Sequence, residues 1–431
     1  MGRTASIDAG LPAENLVALV QVLNAVRRGL AETRPEIMEV TGLGRAVVVQ
    51  RVVELLERGL FVEAGLGQSS GGRAPRVLRF ASEAGHSLVA DIGVSNLSVG
   101  VADLSGRLLA VIDEAGDVSR GPEVTLDRLK ELFARAQADV TTEIGPLWGI
   151  GIGIPGPMEF ATGRPVSPPI MPGWDRYPIR ERFGPDVPVW VDNDANLMAL
   201  GEHRAGAMRD AADALFVKVG TGIGAGLLLG GRLYRGSIGS AGDVGHVQVS
   251  DTMTVVCRCG NTGCVEALAG GAAIARDGTA AARDGRSPAL ARVLIERGQI
   301  QAVDVGNAAA HGDLVSLELL TSAGNLIGRM IANMVNAVNP SVVTLGGGVM
   351  RSGDAIMAAI RQSVYARSLP LATRLLHIVR SELDDQAALV GAAHMVVDEL
   401  FTAPRLAAWI ESGTPRGRSD LPGIQAVAQV F

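Results

Sequence analysis

The chain has 431 residues, 47% hydrophobic and 19% charged, so it is long enough for two or three globular domains with substantial cores. Its net charge of −6 excludes wholesale coating of nucleic acid, yet residues 1–80 carry 10 Arg against 8 Asp and Glu, net +2, which leaves net −8 for the remainder. No apolar run is long enough to span a bilayer and no signal peptide opens the sequence, so no membrane contact is expected and a cytoplasmic, nucleoid-associated place is, with thiols that bind metal rather than form disulfides. Nearly all the basic residues are arginine, with Lys130 and Lys218 the only lysines.

Leu16, Leu19, Val20, Leu23 and Val26 recur at helical spacing and predict an amphipathic helix that ends near Arg28-Gly29. A second helix, Arg34 to about Thr41, stops at Gly42, and a third runs from about Gly44 to Gly59; two helices joined by a tight glycine turn make a helix-turn-helix. In the third helix Val48, Val52, Leu55 and Leu56 form the buried stripe, which turns Ala46, Val47 and Gln50 outward. Gln50 suits bidentate pairing with adenine, Ala46 and Val47 suit thymine methyls, and Arg45 and Arg51 on the flanks suit phosphates. A glycine- and serine-rich hairpin, Gly65 to Gly72, then leads into a basic strand, Arg73 to Phe80, which completes a winged helix-turn-helix over residues 1–81 with Arg73 as a minor-groove candidate. A protein-docking module with solvated arginines has the same helical pattern; the arginines of the wing favour operator DNA as the partner.

From His86 the pattern changes to strands, at Ser87–Ile92, Leu97–Asp103 and Leu108–Asp113, followed by a helix from about Glu123 to Glu143. The buried strand Trp148–Ile154 ends in Pro155-Gly156-Pro157, and Val187–Val191 leads into Asp192-Asn193-Asp194-Ala195-Asn196 and a helix. A second cycle of strand, glycine hairpin and strand begins at Ala214–Val219 and Gly220–Gly226. This duplication predicts two related α/β lobes facing a cleft, residues 82–200 with 385–403, and residues 201–384. A long helix, roughly Leu314–Val338, breaks at Asn339-Pro340, after which strand Val342–Leu345 enters Gly346-Gly347-Gly348 and another helix. Residues 404–431 read as a flexible tail.

All the cysteines fall in one Cys257-x-Cys259-x4-Cys264 cluster with His246 upstream, four N/S ligands of the kind that holds tetrahedral zinc. Three reduced, buried thiols are the alternative, but this glycine-containing loop offers them little apolar core. The hairpin Gly220-Thr221-Gly222 and the run Gly346-Gly347 could present backbone N–H groups to a phosphate, although tight turns need glycine too. Asp91, with Gly93 beside it at a strand end, could position a metal-nucleotide. Asp194 in the strand-to-helix turn could act as general base on a sugar hydroxyl or serve as a helix N-cap.

Asp91-Ile92-Gly93, Gly151 to Pro157, Asp192 to Asn196, Gly220 to Gly224, Ala241 to His246, and Cys257-x-Cys259-Gly260-x-x-Gly263-Cys264-x-Glu266 together resemble the ROK family (repressors, open reading frames, kinases), over about Asn15 to Phe401. The resemblance implies an actin-like, RNase H-like two-lobed α/β sugar-kinase fold. It also implies a structural zinc on His246, Cys257, Cys259 and Cys264, and a sugar held by Asn193, Asp194, Asp243, His246 and Glu266. A winged helix in front is what the repressor branch looks like, since the kinases usually begin at the strand carrying Asp91. Two departures concern catalysis. Where the kinases typically read Asp-x-Gly-Gly-Thr-Lys, this chain has Asp91-Ile92-Gly93-Val94-Ser95-Asn96, which removes a flexible glycine and a cation from the phosphate hairpin. The usual Glu of Glu-x-Gly-His is Asp243, which withdraws a carboxylate by about a bond length, enough to lose a hydrogen bond of about 1.5–3 kcal/mol. ATP and Mg are therefore expected only if kinase activity survives on Asp194. The expected protein is a sugar-responsive repressor, a homodimer or homotetramer on operator DNA, that senses a sugar or sugar phosphate in a kinase-like cleft. The alternative is an ATP-dependent hexose kinase, glucokinase-like or N-acetylhexosamine kinase-like, with a DNA-binding domain attached. Ile170-Met171-Pro172-Gly173-Trp174 lies where the family shapes its sugar pocket.

Overall fold

A computed structural model describes residues 13–67 and 74–424, so Arg73 and the tip of the wing lie outside the described residues. The chain opens with helices α1 (Ala13–Arg27), α2 (Arg34–Thr41) and α3 (Arg45–Glu57), then the antiparallel pair β1 (Phe61–Leu66) and β2 (Arg76–Phe80), whose register shifts between Glu63 and Gly65. The start of α2 is fixed by a capping box, in which the Glu36 N–H donates to the Thr33 hydroxyl and the Thr33 N–H to the Glu36 carboxylate. Leu19, Leu23, Ile37, Val48, Val52 and Leu55 are fully buried where the helices meet, and Leu78 closes the bottom from β2.

The first lobe begins with the meander β3 (His86–Ile92), β4 (Asn96–Asp103) and β5 (Leu108–Ala115), crossed by α4 (Pro122–Ala138). Helix α4 stops short of Glu143 because the β-branched run Val140, Thr141 and Thr142 is a poor continuation. Then come β6 (Leu147–Ile154), the small hairpin β7 (Met158–Glu159) and β8 (Arg164–Pro165), and β9 (Val189–Asn193). The strand order is β5-β4-β3-β6-β9, with β6 and β9 parallel to β3. Helix α5 (Asp194–Ala205) carries the chain to the second lobe: β10 (Ala214–Val219), β11 (Ile223–Leu229), β12 (Arg232–Tyr234), α6 (Val265–Ala269), α7 (Gly271–Arg283), α8 (Pro288–Arg297), α9 (Ala302–Ala310), α10 (Leu314–Val338), β13 (Val342–Gly346), α11 (Asp354–Arg367), α12 (Pro370–Thr373) and β14 (His377–Arg380). Its order, β12-β11-β10-β13-β14, repeats the first sheet strand for strand and sense for sense. The internal duplication is thus a property of the fold. Among the described residues, no helix is long and apolar enough to cross a membrane.

Helix α13 (Ala387–Leu400) returns to the first lobe and lies against α5 at very close range. A Cβ on Gly391 would sit 1.8 Å from the Leu197 carbonyl oxygen, and one on Gly201 2.1 Å from that of Ala387, so only glycine lets these two backbones touch. The segment after α13 is not a flexible tail as far as Ile424, which corrects the expectation for residues 404–431. It forms α14 (Ala403–Trp409) and two further 3-10 turns, and buries Leu406, Trp409, Ile410 and Leu421. Polar composition hid a few well-spaced anchors: Trp409 packs edge-on against Trp148 at 5.2 Å and at a tilt against Phe401 at 5.8 Å, and its indole N–H donates to the Leu400 carbonyl.

This segment also bears on the N-terminal helical domain. Arg58 at the end of α3 donates to the Ile410 carbonyl and the Glu411 carboxylate, both at 2.8 Å. Phe80 of β2 meets Phe401 edge-on at 5.7 Å. Asp398 on α13 pairs with Arg27 of α1 at 2.6 Å, with Arg204 of α5 at 2.6 Å and with Arg28 at 3.8 Å. Trp409→Ala should cost about 3–5 kcal/mol of unfolding free energy by the loss of a fully packed aromatic; a loss below about 1 kcal/mol in urea denaturation would show that the segment contributes nothing to the core.

Candidate functional site

The two sheets turn the hairpins β3-β4 and β10-β11 toward one another across a cavity of about 930 Å³. The first lobe supplies the turn after β9. Asn193 caps α5, its side-chain oxygen accepting the N–H groups of Ala195 at 2.9 Å and Asn196 at 3.4 Å, while its amide donates to the Gly156 carbonyl at 3.0 Å. The cap is therefore Asn193 rather than Asp194, and Asp194 is left in the first helical turn, where the helix dipole favours a carboxylate. Asp194 is nearly buried, and its Oδ2 lies 2.5 Å from the ammonium of Lys218 on β10. Burial works against that ammonium, but Asp194 and Asp91 outweigh it and hold its pKa above the ordinary lysine value.

Asp91 ends β3 with Oδ1 buried and without a hydrogen-bond partner. Burial pushes its pKa up to about 6; Lys218 opposes the rise, while Asp194 and Asp385 add to it. Beside it, the Gly93 N–H donates to the Asn96 carbonyl at 2.8 Å and closes the first hairpin. The second hairpin, Gly220-Thr221-Gly222, is closed by the Gly220 N–H to the Gly222 carbonyl at 2.9 Å. Here glycine leaves room for a neighbour, because a Cβ on Gly222 would meet the Glu266 carboxylate at 2.2 Å and displace it. Glu266 lines the cleft from α6 and accepts the Ile223 N–H at 3.0 Å. Gly347 lines the cleft and Gly346 does not: it ends β13, where a Cβ would strike the Phe216 ring at 2.6 Å. The glycine run opens into a short 3-10 turn, Gly348–Ser352, and not directly into a helix; α11 begins only at Asp354, so no helix dipole reinforces this glycine run.

His246 has two faces. Its Nδ1 lies 3.5 Å from Cys257 Sγ, and its Nε2 lies 3.7 Å from the Asp243 carboxylate at the cleft wall. Cys259 and Cys264 are 3.8 Å apart at sulfur, and all four candidate ligand atoms lie within 4.8 Å of one another. Zinc–thiolate bonds of about 2.3 Å at tetrahedral angles separate sulfurs by about 3.8 Å, so the donors fit that ion. Of the Ile170 to Trp174 run only Ile170 reaches the cleft, because Met171 and Trp174 are buried in the first-lobe core and the Trp174 indole donates to the Val118 carbonyl at 3.2 Å.

On the N-terminal domain, Arg45, Ala46, Val47 and Gln50 are exposed on one side of α3. Arg51 is not available for a phosphate: it is 3% exposed and its guanidinium is 2.5 Å from Glu54, one turn along the helix. The stripe that buries Val48, Val52 and Leu55 takes Arg51 with it. In the wing, Arg76 and Arg79 are held by Glu63 and Glu83.

Two cations that pair across the lobes, of which Lys218 lines the cleft, went unread in the sequence. Lys218 carried a signal, one of the chain's only two lysines, set in an otherwise apolar strand that enters the glycine hairpin. Arg235 carried none. It lies 2.7 Å from Asp192 and 3.8 Å over the Phe160 ring, contacts that depend on how the loop after β12 crosses back to the first lobe.

The chain's relatives match this geometry. A xylose repressor of Caldicellulosiruptor bescii is 28% identical over 404 residues, spanning 90% of this chain and 96% of its own. The crystal structure of a ROK family transcriptional regulator, a homolog of the E. coli MLC protein, superposes with a TM-score of 0.76 at 25% identity over 93% of this chain and all of that one. A ROK family glucokinase from Streptomyces griseus, crystallised with glucose and AMPPNP, superposes with a TM-score of 0.63 at 29% identity, covering 99% of its own chain and 72% of this one. The ROK family profile matches residues 88–399, both lobes with the cleft between them, and the protein belongs to the ROK family.

Proposed function

We propose that the protein is a sugar-responsive transcriptional regulator, a repressor, that reads operator DNA through α3 and senses a sugar in the cleft. The observation that carries this reading is the position of α5. Its first turn presents Asn193 and Asp194 to the cleft, and its last turn presents Arg204 to Asp398, the same carboxylate that holds Arg27 of the DNA-binding domain. The far end of α5 is also tied down, because buried Glu202 accepts hydrogen bonds from the Ser381 hydroxyl at 2.5 Å and the Leu383 N–H at 2.9 Å, at the entry to α13. Sugar-binding side chains come from both lobes, Asn193 and Asp194 from the first and Asp243, His246 and Glu266 from the second, so a bound sugar favours one closure angle. Two copies of the chain place two recognition helices on successive half-sites, and a change in that angle alters their spacing. The setting for such a protein is the cytoplasm, at the nucleoid.

The zinc of this reading is structural. His246 Nδ1, Cys257, Cys259 and Cys264 hold the ion, which leaves His246 Nε2 facing Asp243 and the cleft, and Cys264 lies two residues before Glu266. Zinc thus orients two sugar ligands without touching the sugar. Cys259→Ser, or stripping with a chelator, should weaken sugar binding by about 1.5–3 kcal/mol, tenfold or more, in calorimetric titration. Elemental analysis finding less than about half an equivalent of zinc in fresh protein would remove the assignment.

The reading as a whole is tested by the anisotropy of labelled DNA from upstream of the protein's own coding sequence, with and without a panel of pentoses, hexoses and N-acetylhexosamines. Gln50→Ala should cost about 1–3 kcal/mol at particular base positions, whereas Arg45→Ala should weaken binding evenly and lower the salt slope by about one. Failure to bind any such DNA, with or without sugar, overturns the proposal. Arg204→Met tests the route. Sugar affinity and sugar-free DNA affinity should each stay within about threefold of wild type, while a coupling in the usual range of about 5–150-fold collapses toward one; unchanged coupling would mean that the signal travels elsewhere.

A further inference from the structure

A kinase cleft of this shape needs a divalent cation between its carboxylates and the nucleotide phosphates. The residues present do not fit one. Lys218 pairs across the second sheet with Gly224 on one side and Gly346 on the other, and its ammonium sits in the cleft 2.5 Å from the Asp194 carboxylate, with Asp91 and Asp385 acting on it from farther away. A magnesium ion placed to use Asp91 and Asp194 would face that ammonium across a single carboxylate. The nucleotide side is equally unfit: the first hairpin carries Val94 and Asn96 in place of a flexible glycine and a cation, and Arg351, which lines the cleft, is already held by Asp385. A phosphoryl group entering here meets three carboxylates, Asp91, Asp194 and Asp385, against the two cations Lys218 and Arg351.

We infer that the Lys218 ammonium replaces the divalent cation of a kinase cleft, so that the site takes an unphosphorylated, uncharged sugar and needs neither metal nor nucleotide. Lys218 is then a specificity determinant. Its 2.5 Å contact fixes the Asp194 carboxylate in place as a hydrogen-bond acceptor for a sugar hydroxyl, and at the same time it occupies the position from which phosphoryl transfer would be driven. The identity of the ligand rests on the sugar-sensing reading above; the replacement of the cation does not.

The experiment titrates Mn²⁺ alone into the full-length protein, its Cys/His site left loaded, and reads free Mn²⁺ by electron paramagnetic resonance. Wild type should show no saturable binding at millimolar ion. Lys218→Met should gain one Mn²⁺ per chain with at least about tenfold tighter binding, and the added change Asp194→Asn should abolish the gain. The inference is overturned if wild type binds Mn²⁺ saturably at a site that Asp194→Asn removes. It is also overturned if Lys218→Met, or Lys218→Ala should the first variant fail to fold, keeps its native melting temperature and gains no ion. A second arm compares hexoses with their 6-phosphates as effectors of DNA binding in EDTA without nucleotide: the free sugars should act and the phosphates should not, and the reverse result overturns the ligand assignment. A chain that gains Mn²⁺ in Lys218→Met yet responds to no sugar counts against the sensor reading while supporting the cation replacement.

Discussion

The Asp398 carboxylate is the contact on which the arrangement of the whole molecule turns. Burial would raise its pKa, but Arg27, Arg204 and Arg28 outweigh that and hold it far below the ordinary carboxylate range. A carboxylate only about one-fifth exposed, with several guanidinium partners, tolerates the loss of one poorly, because the charges left behind stay partly desolvated. The group joins three parts of the structure: Arg27 and Arg28 at the end of α1, Arg204 at the end of α5, Asp398 itself on α13. The N-terminal domain is therefore not strung on a linker. Its first helix is fixed to the helix pair that underlies the cleft, and the Trp148, Phe401 and Trp409 cluster seals the same junction with apolar surface.

Close packing along α5 and α13 determines what such a junction can transmit. Where two helices meet through long side chains, a small displacement is absorbed by rotamer changes. Where backbones touch through Gly201 and Gly391, there is little left to rearrange, so the pair moves as a body or not at all. The cleft-lining turn with Asn193 and Asp194 lies at one end of that body and Asp398 near the other. The second lobe joins the same relay through Glu202, whose carboxylate accepts the Ser381 hydroxyl just after β14.

How much of this was legible in the sequence follows from the range of the forces involved. The stop signals at Gly42 and Asn339-Pro340 placed α2 and α10 close to their observed bounds, and the doubling of strand, glycine hairpin and strand foretold two lobes, because both are local patterns. The cysteine cluster was readable because a metal site needs its donors close in sequence or in space, and here they are both. Arg51 was misjudged for the opposite reason. Helical phase places it at the margin of the apolar stripe, and only its pairing with Glu54 decides that the guanidinium stays in. The C-terminal segment was misjudged because a handful of anchors, Leu406, Trp409 and Leu421, find partners more than a hundred residues away in β6 and α1, which composition cannot register.

The same reasoning explains why a cleft built for phosphoryl transfer is suited to reporting instead. Catalysis requires the lobes to close, react and reopen without preferring the closed form too strongly, whereas a sensor benefits from a ligand that holds one closure state. On the proposed reading, the tethered ammonium of Lys218 in place of a dissociable metal would remove any dependence of occupancy on metal or nucleotide supply and leave sugar concentration as the single variable. On the same reading, the shorter carboxylate of Asp243, half-exposed and 3.7 Å from His246, would loosen the grip on a sugar from the second lobe. A weaker hold is no handicap to a receptor, which must release its ligand when the sugar is exhausted, provided the free energy that remains differs between the open and closed forms.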